Sequence, residues 1–390
     1  MQFKFKNLLL EPYRLFFSVG PLYAILSVGI WFAYFFLLEH RVSFLAWKQA
    51  PLQIHSHLMI YGVIGFYVFG FILTAFPRFV NQPLPSASQI LLLWTGLLLS
   101  QIFLILGTFY QEKWMGFAAV FEIASYMGLL GLLTRLYIKE GKFRQNSQPI
   151  FILTALFFGV LGSLFFYLTA AFHLSMEFYR LSTELGTYLY LLFLVVSITY
   201  RIVPFFTGSV IAGYIPRRGR FTLQIVLAVM LFHLLSLLLF ENFKIYDPLS
   251  RILNLTLFLI LAREWKNWLP SKIRQAPMLM VLYVGLAWIL VFLGFNAASF
   301  PLSPTSALHA LFVGAFGTLL LGISTRVVRG HGGLPLVADP WMLVALLLLQ
   351  MAAILRVFFP VATAYWGGLL WCIAFALWGI RYVPLLGRSR

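Results

Sequence analysis

Residues 277–299 read PMLMVLYVGLAWILVFLGFNAAS, twenty-three positions without a charged side chain. At 1.5 Å per residue a helix of that length reaches about 34 Å, enough to cross the ~30 Å hydrocarbon core of a bilayer. Runs of this kind recur on both sides of it. Their approximate limits are 15–38, 55–76, 88–110, 114–137, 150–172, 184–206, 221–241, 248–264, 277–299, 305–328, 340–359 and 362–383. Pro-rich or charged breaks such as Arg78–Pro85, Lys139–Pro149, Arg217–Arg220 and Trp265–Pro277 separate them. Of the 390 residues, 62% are hydrophobic and only 10% charged. Twelve spans of about 22 residues take roughly two thirds of such a chain and leave only short loops. A soluble globular enzyme is excluded, as is a membrane anchor with a soluble head. The expected fold is all-α: a polytopic integral membrane protein, one transmembrane domain over residues 1–390, with about twelve helices in one bundle. No repeat is convincing enough to argue an inverted-repeat transporter.

The chain carries 28 Lys and Arg against 11 Asp and Glu, a formal charge of +17. These cations fall between apolar runs, so the positive-inside rule explains them better than nucleic acid does. With the N-terminus inside, the cytoplasmic segments collect twenty of them, among them Lys4, Lys6, Arg14, Arg78, Arg326 and Arg329. The opposite face has seven: Arg41, Lys48, Lys113, Arg180, Lys244, Arg251 and Arg356. Both termini are therefore expected in the cytoplasm. The run after Arg14 is too long for a signal-peptide core and reads as a retained first span. The single Cys372 excludes an intrachain disulfide and any Cys-based zinc, iron–sulfur or CxxCH haem site.

This topology gives each histidine a depth. His40, His55, His57, His173 and His309 fall near the outer face, His233 lies in mid-span, and His331 follows the tenth span on the cytoplasmic side. Imidazole is the commonest protein ligand of haem iron and suits copper. His55, His57 and His309 are the favoured ligands; His40 and His173 read as interfacial caps, and His233 as a hydrogen-bonded core residue. Two residues apart, His55 and His57 point about 200° apart on a regular helix, so only one can face a given point. Small residues beside them (Gly62 and Gly65; Ala310, Gly314 and Gly317) admit either a helix or a flat porphyrin, and helix packing is the commoner cause. Arg201 in the sixth span reads as a partner for a haem propionate or bound anion, or as a snorkelling cation. Glu122, mid-span in the fourth helix, reads as a proton carrier or as a structural hydrogen-bond acceptor. His331, flanked by glycines, reads as a second-metal or haem ligand, or as a plain loop residue.

The stretches Ile54-His55-Ser56-His57-Leu58-Met59, Gly70-Phe71-Ile72-Leu73-Thr74-Ala75-Phe76-Pro77, Arg201-Ile202-Val203-Pro204-Phe205-Phe206-Thr207 and Leu308-His309-Ala310-Leu311-Phe312-Val313-Gly314, with Thr325-Arg326-Val327 and Gly330-His331, resemble the NnrS family. The resemblance covers nearly the whole chain. It implies a twelve-helix, haem- and copper-containing bacterial inner-membrane protein tied to nitric oxide metabolism or nitrosative stress. His55, His57, His309 and His331 match the motif histidines, and Arg201 and Arg326 the motif arginines. Where the family pattern has Trp-His-x-His-Glu-Met, this chain has Ile54 and Leu58 in place of Trp and Glu. A family Leu-His appears here as Leu282-Tyr283. These departures put a second metal in doubt, although Tyr283 retains a ligating oxygen. The helices of His57 and His309 also look like the haem-ligand helices of the haem–copper oxidase catalytic subunit, a likeness of fold alone.

The leading expectation is a protein that binds haem b, with copper or another second metal, and binds nitric oxide near the outer face or reduces it to nitrous oxide. Its expected haem residues are His57, His309, His55, Arg201 and Arg326; its metal residues are His55, His331 and Tyr283. Reduction would draw protons through Glu122 and electrons from a quinol or an outer-side donor. The alternative is a transporter or metal-handling permease without redox chemistry. Membrane lipid is the expected surrounding, and nucleic acid is not an expected partner.

Overall fold

The computed structural model describes residues 4–39, 47–141, 147–240, 243–298, 305–360 and 364–388. Every long element among them is a helix: α1 (Pro12–Glu39), α2 (Pro51–Phe79), α3 (Ala87–Phe109), α4 (Trp114–Glu140), α5 (Gln148–Ala170), α6 (Met176–Val210), α7 (Thr222–Phe240), α8 (Tyr246–Trp268), α9 (Pro277–Ala298), α10 (Ser306–His331), α11 (Pro340–Phe358) and α12 (Ala364–Leu386). Each overlaps one expected stretch, with α6 beginning at Met176 and ending at Val210 where 184–206 was expected. Local chemistry sets several starts. At α3, Ser86 and Gln89 exchange side-chain and backbone hydrogen bonds in a capping box. At α11, the Asp339 carboxylate accepts from the Met342 N–H at 3.0 Å, with Pro340 in the first turn.

Eleven of these helices are long and apolar enough to cross a membrane. The expected eighth span departs from the rest: α8 has the length, but carries Asp247, Arg251, Arg263, Glu264 and Lys266. The described chain ends touch one another. The Lys4 N–H and the Asn7 side-chain amide both donate to the Gly387 carbonyl, at 3.0 and 2.8 Å. Arg14 donates to the Leu386 and Arg388 carbonyls at 3.0 and 2.8 Å. Ends that touch lie on one side of a membrane, which requires an even number of crossings. α8 is not among the eleven, and its charges lie toward the two ends of a 23-residue helix.

The chain forms two compact units. The first contains residues up to Leu194, then His331–Gly333 and the chain from Phe375 onward; the second contains Val195–Gly330 and Leu334–Ala374. Three helices depart from α-geometry in their interiors. Over Leu58–Val63 in α2, Leu185–Leu192 in α6 and Ala310–Gly317 in α10, backbone hydrogen bonds reach five residues instead of four. Such π-type widenings are rare and occur frequently at functional sites. The residues immediately before them are His57, Glu184 and His309.

Candidate functional site

The first unit is organised around a carboxylate. Glu122 on α4 is fully buried, and its two oxygens collect donors from three other helices. Ser163 of α5 donates to Oε1 at 2.6 Å, and Tyr167 of α5 to Oε2 at 3.2 Å. The Gln101 amide of α3 donates to Oε2 at 3.0 Å, while its own carbonyl accepts from Tyr23 of α1 at 2.6 Å. His57 of α2 completes the set, its Nε2 lying 3.0 and 3.1 Å from the two oxygens. Gly62 makes this convergence possible: a methyl group there would run into the Tyr23 ring and come within 2.8 Å of Gln101 Oε1. A buried carboxylate is tolerated where donors satisfy it, and five helices meet at this one.

That geometry bears on His57 as a haem ligand. Its ring stacks on Phe166 with centroids 3.6 Å apart and on Tyr61 at 4.7 Å. Nε2 of His57 is thus engaged by Glu122 and its ring by stacked aromatic neighbours, while Nδ1 has no hydrogen-bond partner. His55 diverges from it, as the helical spacing requires, because α2 begins at Pro51 and holds both residues. It stacks on Trp31 of α1 at 4.4 Å.

His331 belongs to another place. Its Nδ1 bonds the Glu11 carboxylate, its Nε2 lies 2.7 Å from an Arg78 nitrogen, and its ring meets Tyr13 edge-on at 5.1 Å. Both ring nitrogens are therefore engaged in an ionic cluster beside the joined chain ends. Tyr13 and Trp31 are eighteen residues apart on α1, about 27 Å of helical rise, so His331 and His55 cannot hold one metal. Among the described residues no group of three or more His, Cys, Asp or Glu comes together to bind a metal ion.

In the second unit, both ring nitrogens of His309 have partners. Its Nδ1–H donates to the Thr305 carbonyl at 2.7 Å, leaving Nε2 with its lone pair, and Arg356 reaches that nitrogen at 3.3 Å. A backbone carbonyl on Nδ1 is the usual second-shell device that orients a ligating imidazole. The glycines that follow are taken up by packing. A methyl at Gly314 would approach Trp288 to 2.5 Å, and one at Gly317 would approach Trp371 and Leu349 to 3.0 and 3.2 Å.

Arg326 lies seventeen residues further along α10, about 25 Å from His309, so the two cannot attend one haem. Its guanidinium sits over the Phe206 ring at 4.0 Å and has no ion pair among the described residues. Tyr283 does not present a free oxygen: its hydroxyl donates to the Trp268 carbonyl at 2.8 Å and meets Thr207 at 3.2 Å. Arg201 is half-buried on α6. His233 bonds Ser250 at 3.1 Å within the core, His173 is exposed, and His40 lies outside the described residues.

Several participants escape sequence reasoning. Gln101, Ser163 and Tyr167 are polar residues in mid-span whose common target is invisible without the fold. Glu184 is a second carboxyl within a span, and Glu11 and Arg356 partner histidines far away in the chain. Comparison with curated proteins gives no match. A family model described as NnrS protein matches residues 7–390, essentially the full length of this helical membrane protein, and the chain belongs to the NnrS family.

Proposed function

We propose that this is a haem-binding membrane protein of the nitric oxide response, in which His309 would hold a haem b and the haem would supply the site for nitric oxide. The observation that carries the reading is the His309 imidazole, whose Nδ1–H is held by the Thr305 carbonyl so that Nε2 is the basic nitrogen. Haem iron, when bound, supplies the coordination position for the gas. The chain's own residues do the rest. Thr305 orients the ring, and the Arg356 side chain, anchored on the Pro360 carbonyl, covers Nε2 until a ligand displaces it. Nitric oxide is uncharged and soluble in lipid, so an approach between helices needs no polar channel. Binding is the core of the proposal. Reduction to nitrous oxide would in addition need two electrons from a quinol or outer-side donor, and two protons. The expected setting is the bacterial inner membrane.

The test is the optical spectrum of detergent-purified protein, oxidised, dithionite-reduced, and reduced with nitric oxide. A haem b spectrum that shifts with nitric oxide is expected. His309→Ala should abolish it, whereas His57→Ala should retain it. Full haem with an unchanged spectrum in His309→Ala overturns the ligand assignment, and a colourless protein from a haem-sufficient host would favour a transport role instead.

A further inference from the structure

In the second unit, the loop that joins α6 to α7 is tied to the end of α8 and the loop that follows it. The Tyr214 hydroxyl donates to the Trp268 carbonyl at 2.9 Å, and the Gly219 N–H donates to the Glu264 carboxylate at 3.1 Å. Six exposed cations are gathered there: Arg217, Arg218 and Arg220 on the first loop, Lys266 at the end of α8, and Lys272 and Arg274 on the second loop. The one acidic side chain of these segments is Glu264. It is buried, and it also accepts from the Thr222 hydroxyl at 2.8 Å. None of the six cations makes a side-chain hydrogen bond or ion pair with a described residue. Other cations of the chain are used inside the fold: Arg14 on the Leu386 and Arg388 carbonyls, Arg78 on Glu11 and His331, and Arg329 on Asp339. Apolar side chains stand between the free ones. Ile215 is 81% exposed, Phe221 57% and Leu269 50%. The Arg220 guanidinium lies 5.2 Å from the centre of the Phe221 ring, and that of Arg218 lies 5.7 Å from the Tyr200 ring.

We propose that these two loops form a docking surface for the headgroups of anionic phospholipids. Guanidinium and ammonium groups donate to phosphate oxygens, and here they have no protein acceptor to give up first. The loops adjoin α6, α7 and α9, which are apolar enough to cross a membrane, so they stand at the height of the headgroups. At that depth Ile215, Phe221 and Leu269 enter the acyl boundary while the cations stay with the phosphates. An acidic protein arriving from water would leave those apolar groups unused. The positive-inside rule accounts for cations in loops, but it does not ask for a free cluster interleaved with exposed apolar side chains. Basic residues at a membrane surface add their attractions to anionic lipid, and the sum weakens with salt. The inference does not rest on the haem reading, because no residue of the His309 site takes part.

The test is native mass spectrometry of the full-length protein in detergent, titrated with phosphatidylglycerol and, separately, with phosphatidylcholine of the same acyl chains. The wild type should bind phosphatidylglycerol about tenfold more tightly or better at low salt, and the preference should shrink as salt is raised. This comparison needs no variant, and equal binding of the two lipids overturns the proposal. In Arg217→Gln/Lys266→Gln/Lys272→Gln/Arg274→Gln, which leaves the ring-stacked Arg218 and Arg220 in place, most of the preference should disappear. A second variant removes four exposed cations from elsewhere in the chain, Arg135→Gln/Lys139→Gln/Lys244→Gln/Arg251→Gln, and should keep it. Equal loss in the two variants would reduce the effect to net charge, and an unchanged preference in the first would place the lipid elsewhere; either result sinks the proposal. A wild type that ignores lipid charge but binds polyglutamate through the same four residues would assign the surface to an acidic protein segment instead.

Discussion

A carboxylate with Ser163, Gln101, Tyr167 and His57 all turned toward it has little freedom to be replaced. In Glu122→Ala four donors lose their acceptor in a buried interior, and each unmade bond costs more than its formation contributes. Breaking a buried polar pair by removing one partner costs about 3–5 kcal/mol, so Glu122→Ala should lower the melting temperature in detergent strongly. Ser163→Ala removes one donor of several, and should cost only about 1 kcal/mol. If the two variants melted alike, Glu122 would not be the point that joins these helices. The mid-span carboxyl admits both a structural reading and a proton-carrying one from sequence. The structural reading is visible in the donors.

Among the helices, α2, α6 and α10 stand apart. Every fourth helix widens, and each widening follows directly after an ionisable residue, His57, Glu184 or His309. No repeat in the residues announces this period, because a π-type widening depends on backbone geometry that dissimilar side chains support equally. Close approach between helices does have a sequence trace in the glycines. Gly162 on α5 faces Tyr61, Ser182 and Gly186, with the Ser182 carbonyl 3.3 Å from where a methyl would sit. Gly162→Val should therefore overpack the contact and cost about 1–3 kcal/mol. Gly131, on the exposed side of α4 with nothing within 4 Å, is the counter-case. Gly131→Ala should be neutral or stabilise by up to about 1 kcal/mol. Thermal unfolding of the two variants in the same detergent checks both signs.

At the scale of the whole chain, the joined ends are the decisive contact. Reporter tags that work on only one side of a membrane, fused to each end in turn, should give the same answer, and the charge distribution predicts the cytoplasmic side. Opposite answers would remove α8 from the membrane and leave eleven crossings. The sequence by itself determined the fold class and the family. Apolar length and charge spacing are properties of the chain read in order, and the motifs around His55, His57, Arg201 and His309 survive as contiguous residues. It also determined that His55 and His57 diverge, since helical rotation follows from their separation alone. Only the tertiary structure decided which polar groups meet. Glu122 with His57, Gln101 and Ser163, His331 with Glu11, and His309 with Arg356 are pairings between residues 21 to 320 positions apart. Inside an apolar interior such a pairing is fixed by the geometry of helix packing, because each polar group must find its partner there or go without.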